Sequence, residues 1–168
     1  MRVLVLDASA FLQGYTYSST EAEQYTVPLV RGEVREEYAS LRYAGAVSSG
    51  RLKETPPKEE SLILVEAEVR RMGEAVLSET DRQILALALD LRAAGKQPTI
   101  VSDDYSVQNM AVRLGLGFQT QGTRGIRREI SWIIYCPGCR KQFVAGRPGD
   151  ECPVCGTALK RKPSRRGG

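Results

Sequence analysis

The chain has 168 residues, of which 42% are hydrophobic and 26% are charged, enough for one ordinary domain and a small module. No apolar run approaches the roughly 20 residues that cross a bilayer, and the N-terminus lacks the apolar core of a secretory signal, so we expect a cytoplasmic protein with no membrane contact. The sequence contains no histidine, which excludes Ser-His-Asp and Cys-His catalytic sites and every histidine metal ligand. Any catalysis must therefore use carboxylates, amines, thiols or hydroxyls.

Charge is unevenly distributed along the chain. Residues 1–121 hold 13 Lys and Arg against 17 Asp and Glu, a net charge of −4, whereas residues 122–168 hold 11 against 3, a net charge of +8. A basic segment attached to an acidic body is typical of an appendage that binds a polyanion, because Lys and Arg release counterions from phosphates. A basic tail that only improves solubility is the alternative.

The N-terminal pattern predicts a buried strand that ends at an acidic residue. Residues 3–6 form a continuous apolar run with β-branched members, which is typical of a central parallel strand covered on both faces. Asp7 follows at the carboxyl end of this strand, and residues 8–12 can begin a helix. A polar loop then leads to a second predicted strand at residues 24–27.

The next segment predicts a helix and then a long loop. Pro28 fits the first turn of a helix, and Val30, Val34 and Leu41 recur on one side of that helix. Residues 45–58 contain two glycines and two prolines, so we expect a loop there.

The remaining elements of the larger domain alternate helices with strands. Residues 63–72 and 78–94 predict two helices, and the second begins with a Ser-x-x-Asp cap and is apolar on nearly every side. A buried strand at residues 99–101, a helix at 105–114 and a short strand near Phe118 follow. This order of elements is typical of an α/β domain with a mainly parallel sheet.

Acidic residues lie at the ends of the predicted strands. Asp7 ends the first strand, Asp103 and Asp104 end a later one, Glu33 follows the second strand, and Asp81 lies in the first turn of a helix. Because ligands of open parallel sheets gather at the carboxyl ends of the strands, these side chains can converge. A cluster of oxygen ligands selects Mg²⁺ or Mn²⁺ and predicts metal-assisted attack of water on a phosphodiester.

Each acid also has an ordinary structural interpretation. Asp81 can cap its helix, and Asp104 can be an acid that the helix dipole favours in the first turn of the next helix. Glu33 can lie on a solvated face. Asp7 is harder to explain in this way, because it ends a buried strand. Spacing alone does not choose between these alternatives.

Four cysteines form two Cys-x-x-Cys pairs separated by 12 residues, a spacing that predicts one closed, structural zinc site. Two disulfides or a redox dithiol are the alternatives. The predicted zinc ligands are Cys136, Cys139, Cys152 and Cys155.

Basic and aromatic residues surround the cysteines, as expected of a module that binds RNA. Trp132 can stack on unpaired bases, or alternatively fill the small core of the module. The candidate phosphate-binding residues are Arg124, Arg127, Arg128, Arg140 and Lys141.

Four segments in order resemble the four acidic motifs of PIN-domain nucleases. They are residues 7–11 (Asp-Ala-Ser-Ala-Phe), 30–34 (Val-Arg-Gly-Glu-Val), 77–81 (Leu-Ser-Glu-Thr-Asp) with 84–88, and 101–105 (Val-Ser-Asp-Asp-Tyr). The resemblance implies an α/β fold, with a mainly parallel central sheet flanked by helices, that cuts RNA with a divalent metal. The implied site comprises Asp7, Glu33, Asp81 and Asp104, with Asp103 as an auxiliary candidate and Ser9 and Ser102 orienting the carboxylates.

A PIN domain followed by a four-cysteine ribbon and a basic tail resembles the Nin-one-binding endonucleases, and the compact chain is most similar to their archaeal members. This resemblance implies a metal-dependent endoribonuclease that cuts precursor small-subunit (16S-type) ribosomal RNA at its 3′ end during ribosome biogenesis. It implies Mg²⁺ or Mn²⁺ for catalysis and one structural Zn²⁺. The implied partners are the small-subunit precursor and ribosome assembly proteins.

We therefore predict a PIN nuclease domain over residues 1–121, a linker over 122–130, a β zinc ribbon over 131–160 and a basic disordered tail over 161–168. Two alternative functions stay open. One is a general PIN-domain ribonuclease of the RNA-decay or toxin type. The other is an RNA-binding assembly factor without catalytic activity.

Overall fold

A parallel sheet of five strands forms the centre of the N-terminal part of the chain in the computed structural model. Across the sheet the strands are β3 (Leu52–Glu54), β2 (Glu23–Thr26), β1 (Arg2–Leu6), β4 (Gln97–Val101) and β5 (Gly117–Gln119). The helices around it are α1 (Ala8–Leu12), α2 (Val30–Glu33), α3 (Glu37–Ser48), α4 (Glu59–Met72), α5 (Glu79–Ala93) and α6 (Tyr105–Arg113). The structure describes residues 1–14, 22–72, 77–122, 132–143 and 146–163. The predicted α/β class and parallel sheet are confirmed.

The position of β1 in the sheet determines where a ligand can bind. β1 pairs in parallel with β2 on one side and with β4 on the other, and Leu6 lies opposite Val101. The chain order therefore reverses at β1, which makes its carboxyl end a topological switch point of the kind at which α/β sheets bind ligands. Asp7 and Ser102 follow directly after these two strand ends.

Helix α5 is the buried helix that its apolar sequence predicts. Ser78 accepts a hydrogen bond from the backbone N–H of Asp81, whose carboxylate accepts one from the Ser78 N–H, so the predicted cap is confirmed. Ile84, Leu85 and Leu87 are at most 1% exposed. The helix packs on β1 and β4, and α4 packs against α5. This packing places Asp81, in the first turn, beside the carboxyl edge of the sheet.

The single helix predicted from Pro28 through Leu41 is wrong. The chain forms two helices, α2 and α3, because Glu36 accepts hydrogen bonds from the N–H groups of Tyr38 and Ala39 and so caps a new helix. Leu41 does not share a buried side with Val30, since it is 63% exposed.

The loop predicted over residues 45–58 is wrong for residues 45–48 and 52–54, which form part of a helix and a strand. Helix α3 continues through Gly45 to Ser48, and Gly50 adopts a left-handed backbone conformation (φ +70°) just after it. The chain then enters β3, which pairs in parallel with β2. The extra strand carries Glu54 to the carboxyl edge of the sheet, opposite Thr26.

A second, antiparallel sheet forms the cysteine-containing module. Its strands lie in the order β7 (Gln142–Phe143), β6 (Trp132–Tyr135) and β8 (Lys160–Pro163). Ile134, Leu159 and two cysteines form its small core, which shares no residue with the core of the larger domain. The prediction that the basic tail begins disordered at residue 161 is wrong, because β8 pairs with β6 through Pro163. Residues 164–168 lie outside the described part of the chain.

No helix in the described ranges is both long enough and apolar enough to cross a membrane.

Burial on α1 predicts unequal effects of two neighbouring substitutions. Phe11 is fully buried and its ring lies 4.9 Å from that of Tyr43, whereas Leu12 is 51% exposed. We expect Phe11→Ala to lower the free energy of unfolding by about 3–5 kcal/mol and Leu12→Ala by less than about 0.5 kcal/mol. Urea denaturation followed by circular dichroism measures both. Equal losses would show that α1 does not pack as described.

Candidate active site and cysteine cluster

Asp7 is the buried centre of the acidic site. Its carboxylate is held by three hydrogen bonds, from the Ala8 N–H to Oδ1 (2.7 Å) and from the hydroxyls of Ser102 (2.8 Å) and Ser9 (3.1 Å) to Oδ2. The residue is only 6% exposed. Because both oxygens are bonded, the position of the carboxylate is fixed by two segments of the chain, residues 7–9 and Ser102, which meet at the ends of β1 and β4.

The two serines connect Asp7 to the next acidic residues. The Ser102 hydroxyl accepts a hydrogen bond from the Asp104 N–H at 3.1 Å, and the Ser9 hydroxyl accepts one from the Asp103 N–H at 3.2 Å. Gln108, which is fully buried in α6, donates from Nε2 to the Ser102 carbonyl at 3.1 Å. The structure thus places both serines in contact with Asp7, and their role as orienting groups stays a prediction.

The four predicted acids act on one another electrostatically. Burial raises the pKa of Asp7 above its ordinary range, against the lowering effect of its hydrogen bonds, and the charge of Glu33 raises the pKa further. Burial also raises the pKa of Asp81 to about 6, and the charges of Asp7 and Asp104 add to that increase. Such mutual repulsion indicates that the acids lie near one another, and the four-acid site stays a prediction.

Two of these acids also have the structural role that the sequence left open. Asp81 Oδ2 accepts from the Ser78 N–H at 2.8 Å, and Asp104 Oδ1 caps α6 by accepting from the Ser106 N–H at 2.7 Å. A carboxylate has about four lone-pair sites, so these bonds leave acceptor capacity on both residues. Each acid can therefore cap its helix and still offer an oxygen to a ligand.

Asp103 has a different environment from Asp104. Its carboxylate accepts hydrogen bonds from the Gln121 N–H (2.9 Å) and the Gly122 N–H (3.0 Å). A Cβ atom on Gly122 would lie only 3.3 Å from Asp103 Oδ2, so glycine allows this close approach. Asp103 holds the C-terminal end of the larger domain beside the site, and this geometry favours Asp104 over Asp103 as the fourth acid.

Three residues beside the site, Arg31, Tyr43 and Glu54, were not predicted. Glu54 at the end of β3 accepts a hydrogen bond from Arg31 Nη2 at 2.9 Å and another from the Tyr43 hydroxyl. The three residues of β3, Leu-Lys-Glu, do not alternate between apolar and polar, so no periodic signal in the sequence identified β3 or Glu54.

The cysteine cluster is built from two turns with the same backbone geometry. In the first turn the N–H of Arg140 donates to the Cys136 carbonyl at 2.9 Å, and in the second the N–H of Gly156 donates to the Cys152 carbonyl at 2.9 Å. Arg140 and Gly156 both adopt left-handed conformations, with φ values of +62° and +74°. The two Cys-x-x-Cys segments therefore present their thiols in equivalent ways.

The spacing of the four sulfur atoms fits one metal ion. All four lie within 4.8 Å of one another, and the Cys136–Cys155 and Cys139–Cys152 sulfur pairs are 3.4 Å and 3.7 Å apart. Four thiolates around a tetrahedral zinc with bonds of about 2.3 Å have their sulfurs about 3.8 Å apart. The cysteines are free of disulfides, and among the described residues they alone form so close a group of potential metal ligands.

Thr157 contacts the cysteine cluster and was not predicted. Its hydroxyl lies 3.4 Å from Cys155 Sγ. Contacts of that sulfur with the Thr157 hydroxyl, the Thr157 backbone and Cys136 lower the pKa of the Cys155 thiol to about 6. A Cβ atom at position 138 would lie 2.6 Å from the Thr157 hydroxyl, so only glycine fits there. Gly138 and Thr157 therefore pack the two turns against each other.

The predicted RNA-binding residues are described only in part. Arg140 and Lys141 are exposed on the ribbon. Trp132 begins β6, but its side chain lies outside what the structure describes. Arg124, Arg127 and Arg128 also lie outside the described residues.

Comparison with known proteins identifies the family of the chain. Residues 4–91 match the family model "PIN domain of ribonuclease". The chain is 40% identical to endoribonuclease Nob1 of Methanothermobacter thermautotrophicus, over 96% of this chain and 93% of that protein. It is also 40% identical to endoribonuclease Nob1 of Pyrococcus abyssi, over 97% of this chain and 95% of the relative.

A ribonuclease with a different name is also similar to the chain. Ribonuclease VapC1 of Thermoplasma acidophilum is 35% identical over 98% of this chain and 80% of its own length. This alignment spans nearly the whole sequence, including the segment that contains the four cysteines. Sequence identity is higher to the two Nob1 proteins than to VapC1. The family predicted from the four acidic motifs and the cysteine ribbon is therefore confirmed. The chain belongs to the Nob1 endoribonuclease family of PIN-domain proteins.

Proposed function

We propose that the chain is a divalent-metal-dependent endoribonuclease that cuts precursor small-subunit ribosomal RNA at its 3′ end, in the cytoplasm, during ribosome biogenesis. The observation that carries the proposal is the hydrogen-bonded, buried Asp7 at the switch point of the sheet, with Glu33, Asp81 and Asp104 acting on it or on one another. Membership of the endoribonuclease family supports the activity, and the 40% identity to Nob1 proteins supports the ribosomal substrate.

The donors present fit a hard divalent cation. Repulsion and burial raise the pKa values of Asp7 and Asp81, and a bound cation would remove both costs. The donors are carboxylate oxygens, which favour Mg²⁺ or Mn²⁺ over softer metals. Asp7, Glu33, Asp81 and Asp104 would hold the ion. When bound, it supplies Lewis-acid polarisation of the phosphodiester and a more acidic water.

The chain's own groups fix the positions of the ligands. Ser9 and Ser102 hold Asp7 Oδ2 from two sides, and the backbone of Ala8 holds Oδ1. Asp81 lies in the first turn of α5, and Asp104 is the N-cap residue of α6. Each carboxylate accepts a hydrogen bond from a backbone N–H group, which restricts its position. A site with so little freedom needs little reorganisation when RNA binds.

The ribbon is proposed to hold one structural Zn²⁺ and to dock RNA. Four thiolates close the zinc coordination shell, so the ion has no open position for catalysis. The surface of the ribbon carries exposed cations, including Arg140, Lys141, Lys160 and Lys162, and Lys162 lies 4.8 Å from the ring centre of Tyr135. These groups suit single-stranded RNA, which is bound through its phosphates and by stacking.

A ribonuclease of the VapC type is the second candidate, because the alignment to VapC1 covers nearly the whole chain. Incubating the protein with Mn²⁺ and an RNA that spans the 3′ end of precursor small-subunit rRNA tests the choice. A single cut at the mature 3′ end supports the proposed substrate. Preferential cutting of a transfer or messenger RNA of similar length, offered in the same tube, would favour the second candidate.

Replacing the central acid tests the catalytic site. We expect Asp7→Asn to reduce cleavage by at least about 100-fold, because loss of groups that only support metal ligands already costs 10–100-fold. In a thermal melt, Mn²⁺ should raise the melting temperature of the wild type, since a ligand at 100 times its Kd stabilises by about 2.7 kcal/mol. This shift should vanish in Asp7→Asn.

Asp103→Asn is the matched control, because Asp103 accepts from the Gln121 and Gly122 N–H groups. The variant should keep the Mn²⁺ shift and most of the cleavage. If Asp103→Asn lost the shift while Asp7→Asn kept it, the assignment of the four acids would be wrong.

Removing two thiolates tests the zinc ribbon. The double variant Cys136→Ser and Cys139→Ser should release zinc and unfold the ribbon, since metal binding supplies about 10–16 kcal/mol of apparent free energy in zinc-finger peptides. The larger domain should stay folded, because the two hydrophobic cores share no residue. Elemental analysis and circular dichroism measure both effects. A wild-type protein that contained no zinc would refute this site.

Deleting residues 123–168 tests whether the ribbon binds RNA while the larger domain cuts it. The deletion keeps the Asp103 contacts with Gln121 and Gly122. Affinity for RNA should fall strongly, and the slope of log affinity against log salt should flatten by about 0.7 for each lost phosphate contact. Slow cleavage should persist at high enzyme concentration, because all four acids remain. An unchanged affinity and salt slope would show that the ribbon does not dock RNA.

A further inference from the structure

An ion-paired arginine lies beside the acidic site. Arg31 is in α2, two residues before Glu33, and its Nη2 donates to Glu54 Oε2 at 2.9 Å. The guanidinium carbon also lies 6.0 Å from the ring centre of Tyr43. The Tyr43 hydroxyl donates to the other carboxylate oxygen of Glu54. Arg31 is therefore held by a charged acceptor and an aromatic face, which are themselves connected.

The sheet places this arginine at the same edge as the acids. Glu54 ends β3 and lies opposite Thr26, whose hydroxyl donates to the carbonyl of Leu6 at 2.7 Å. Leu6 directly precedes Asp7. Neighbouring strands are about 4.8 Å apart, and β2 lies between β1 and β3, so the ends of β1 and β3 are roughly 10 Å apart. Arg31 thus lies at the rim of the carboxylate site.

Arg31 keeps hydrogen-bond donors available for a ligand. Its side chain is 65% exposed, whereas that of Glu54 is 21% exposed. The ion pair uses a single guanidinium nitrogen, and arginine carries five N–H donors in a planar fork. A fork of this shape matches two oxygens of a phosphate.

We propose that Arg31 binds a backbone phosphate of single-stranded RNA next to the scissile phosphodiester, and that Glu54 and Tyr43 are positioning residues for it. The inference rests on the proposed function. The four carboxylates repel RNA that approaches them. A cation fixed at the rim of the site offsets this repulsion and is not itself a ligand of the metal. Because Glu54 restricts the arginine before RNA arrives, less side-chain freedom is lost on binding.

The test measures RNA binding by the full chain without added Mg²⁺ or Mn²⁺, so that the RNA stays intact, and without a chelator, so that zinc stays bound. Fluorescence anisotropy is recorded with a labelled single-stranded RNA at several salt concentrations. We expect Arg31→Ala to weaken binding about five- to tenfold and to reduce the salt slope by about 0.7. Arg35→Ala is the matched control, since Arg35 is an exposed arginine of the same segment whose Nε donates to the Gly32 carbonyl.

Glu54→Gln separates positioning from bulk charge, because the two effects have opposite signs. Removing a negative charge near RNA strengthens binding if charge alone matters. If Glu54 acts by holding Arg31, the variant weakens binding about two- to fivefold. In the Arg31→Ala background the same change should no longer weaken binding. Thermal melts of every variant verify that each one folds.

Two results would overturn the inference. Equal weakening by Arg31→Ala and Arg35→Ala would show general electrostatic attraction rather than a defined phosphate contact. Stronger binding by Glu54→Gln in both backgrounds would show that Glu54 does not position Arg31. Cleavage of the same RNA with Mn²⁺ is measured separately. A wild type that binds but never cuts contradicts the nuclease function and leaves the result of the binding test intact.

Discussion

The hydrogen bond from Ser102 to Asp7 is the contact on which the acidic site depends. A buried carboxylate is costly unless its oxygens are bonded, and the pairing of β1 with β4 brings a serine to the correct place, 95 residues away in sequence. The same hydroxyl accepts from the Asp104 N–H, so it also fixes the start of α6. Ser9 repeats this arrangement with the Asp103 N–H. One network therefore sets both the strand ends and the acids that follow them.

This network holds negative charges close together. The repulsion between them lowers the stability of the folded protein, whereas binding a metal requires the charges to be close. A pKa for Asp81 raised to about 6 means that the folded, metal-free protein keeps the proton on this carboxyl to a higher pH than the unfolded chain does. As pH rises from the ordinary pKa of Asp toward 6, the unfolded chain releases its proton first, so this group's contribution to stability declines over that interval. A bound divalent cation favours the ionised form and reverses the sign. The site thus tolerates repulsion that ligand binding relieves.

Much of this arrangement was predictable because it depends on local patterns. An apolar run ending in Asp7, the cap at Asp81 and the paired cysteines each have a signature within a few residues. The missing parts depend on distant contacts. Strand β3 is short and owes its place to β2, and the preceding Gly45 is tolerated inside α3 although glycine commonly ends helices. Asp103 and Asp104 are neighbours in sequence, and the contacts of their carboxylates distinguish them, with residues 121–122 for Asp103 and with the start of α6 for Asp104.

The zinc ion proposed for the ribbon would offset an unfavourable backbone conformation. Arg140 occupies the position that Gly156 occupies in the second turn, and both donate to the carbonyl of the first cysteine of their pair. A side chain in the left-handed region costs about 1–2 kcal/mol, which glycine avoids. That cost is small beside the roughly 10–16 kcal/mol of apparent free energy that a structural zinc provides. The turn can therefore carry an exposed guanidinium, next to Lys141, where glycine is the less strained residue. One of the two equivalent turns is thereby positively charged without any change in the geometry of its thiols.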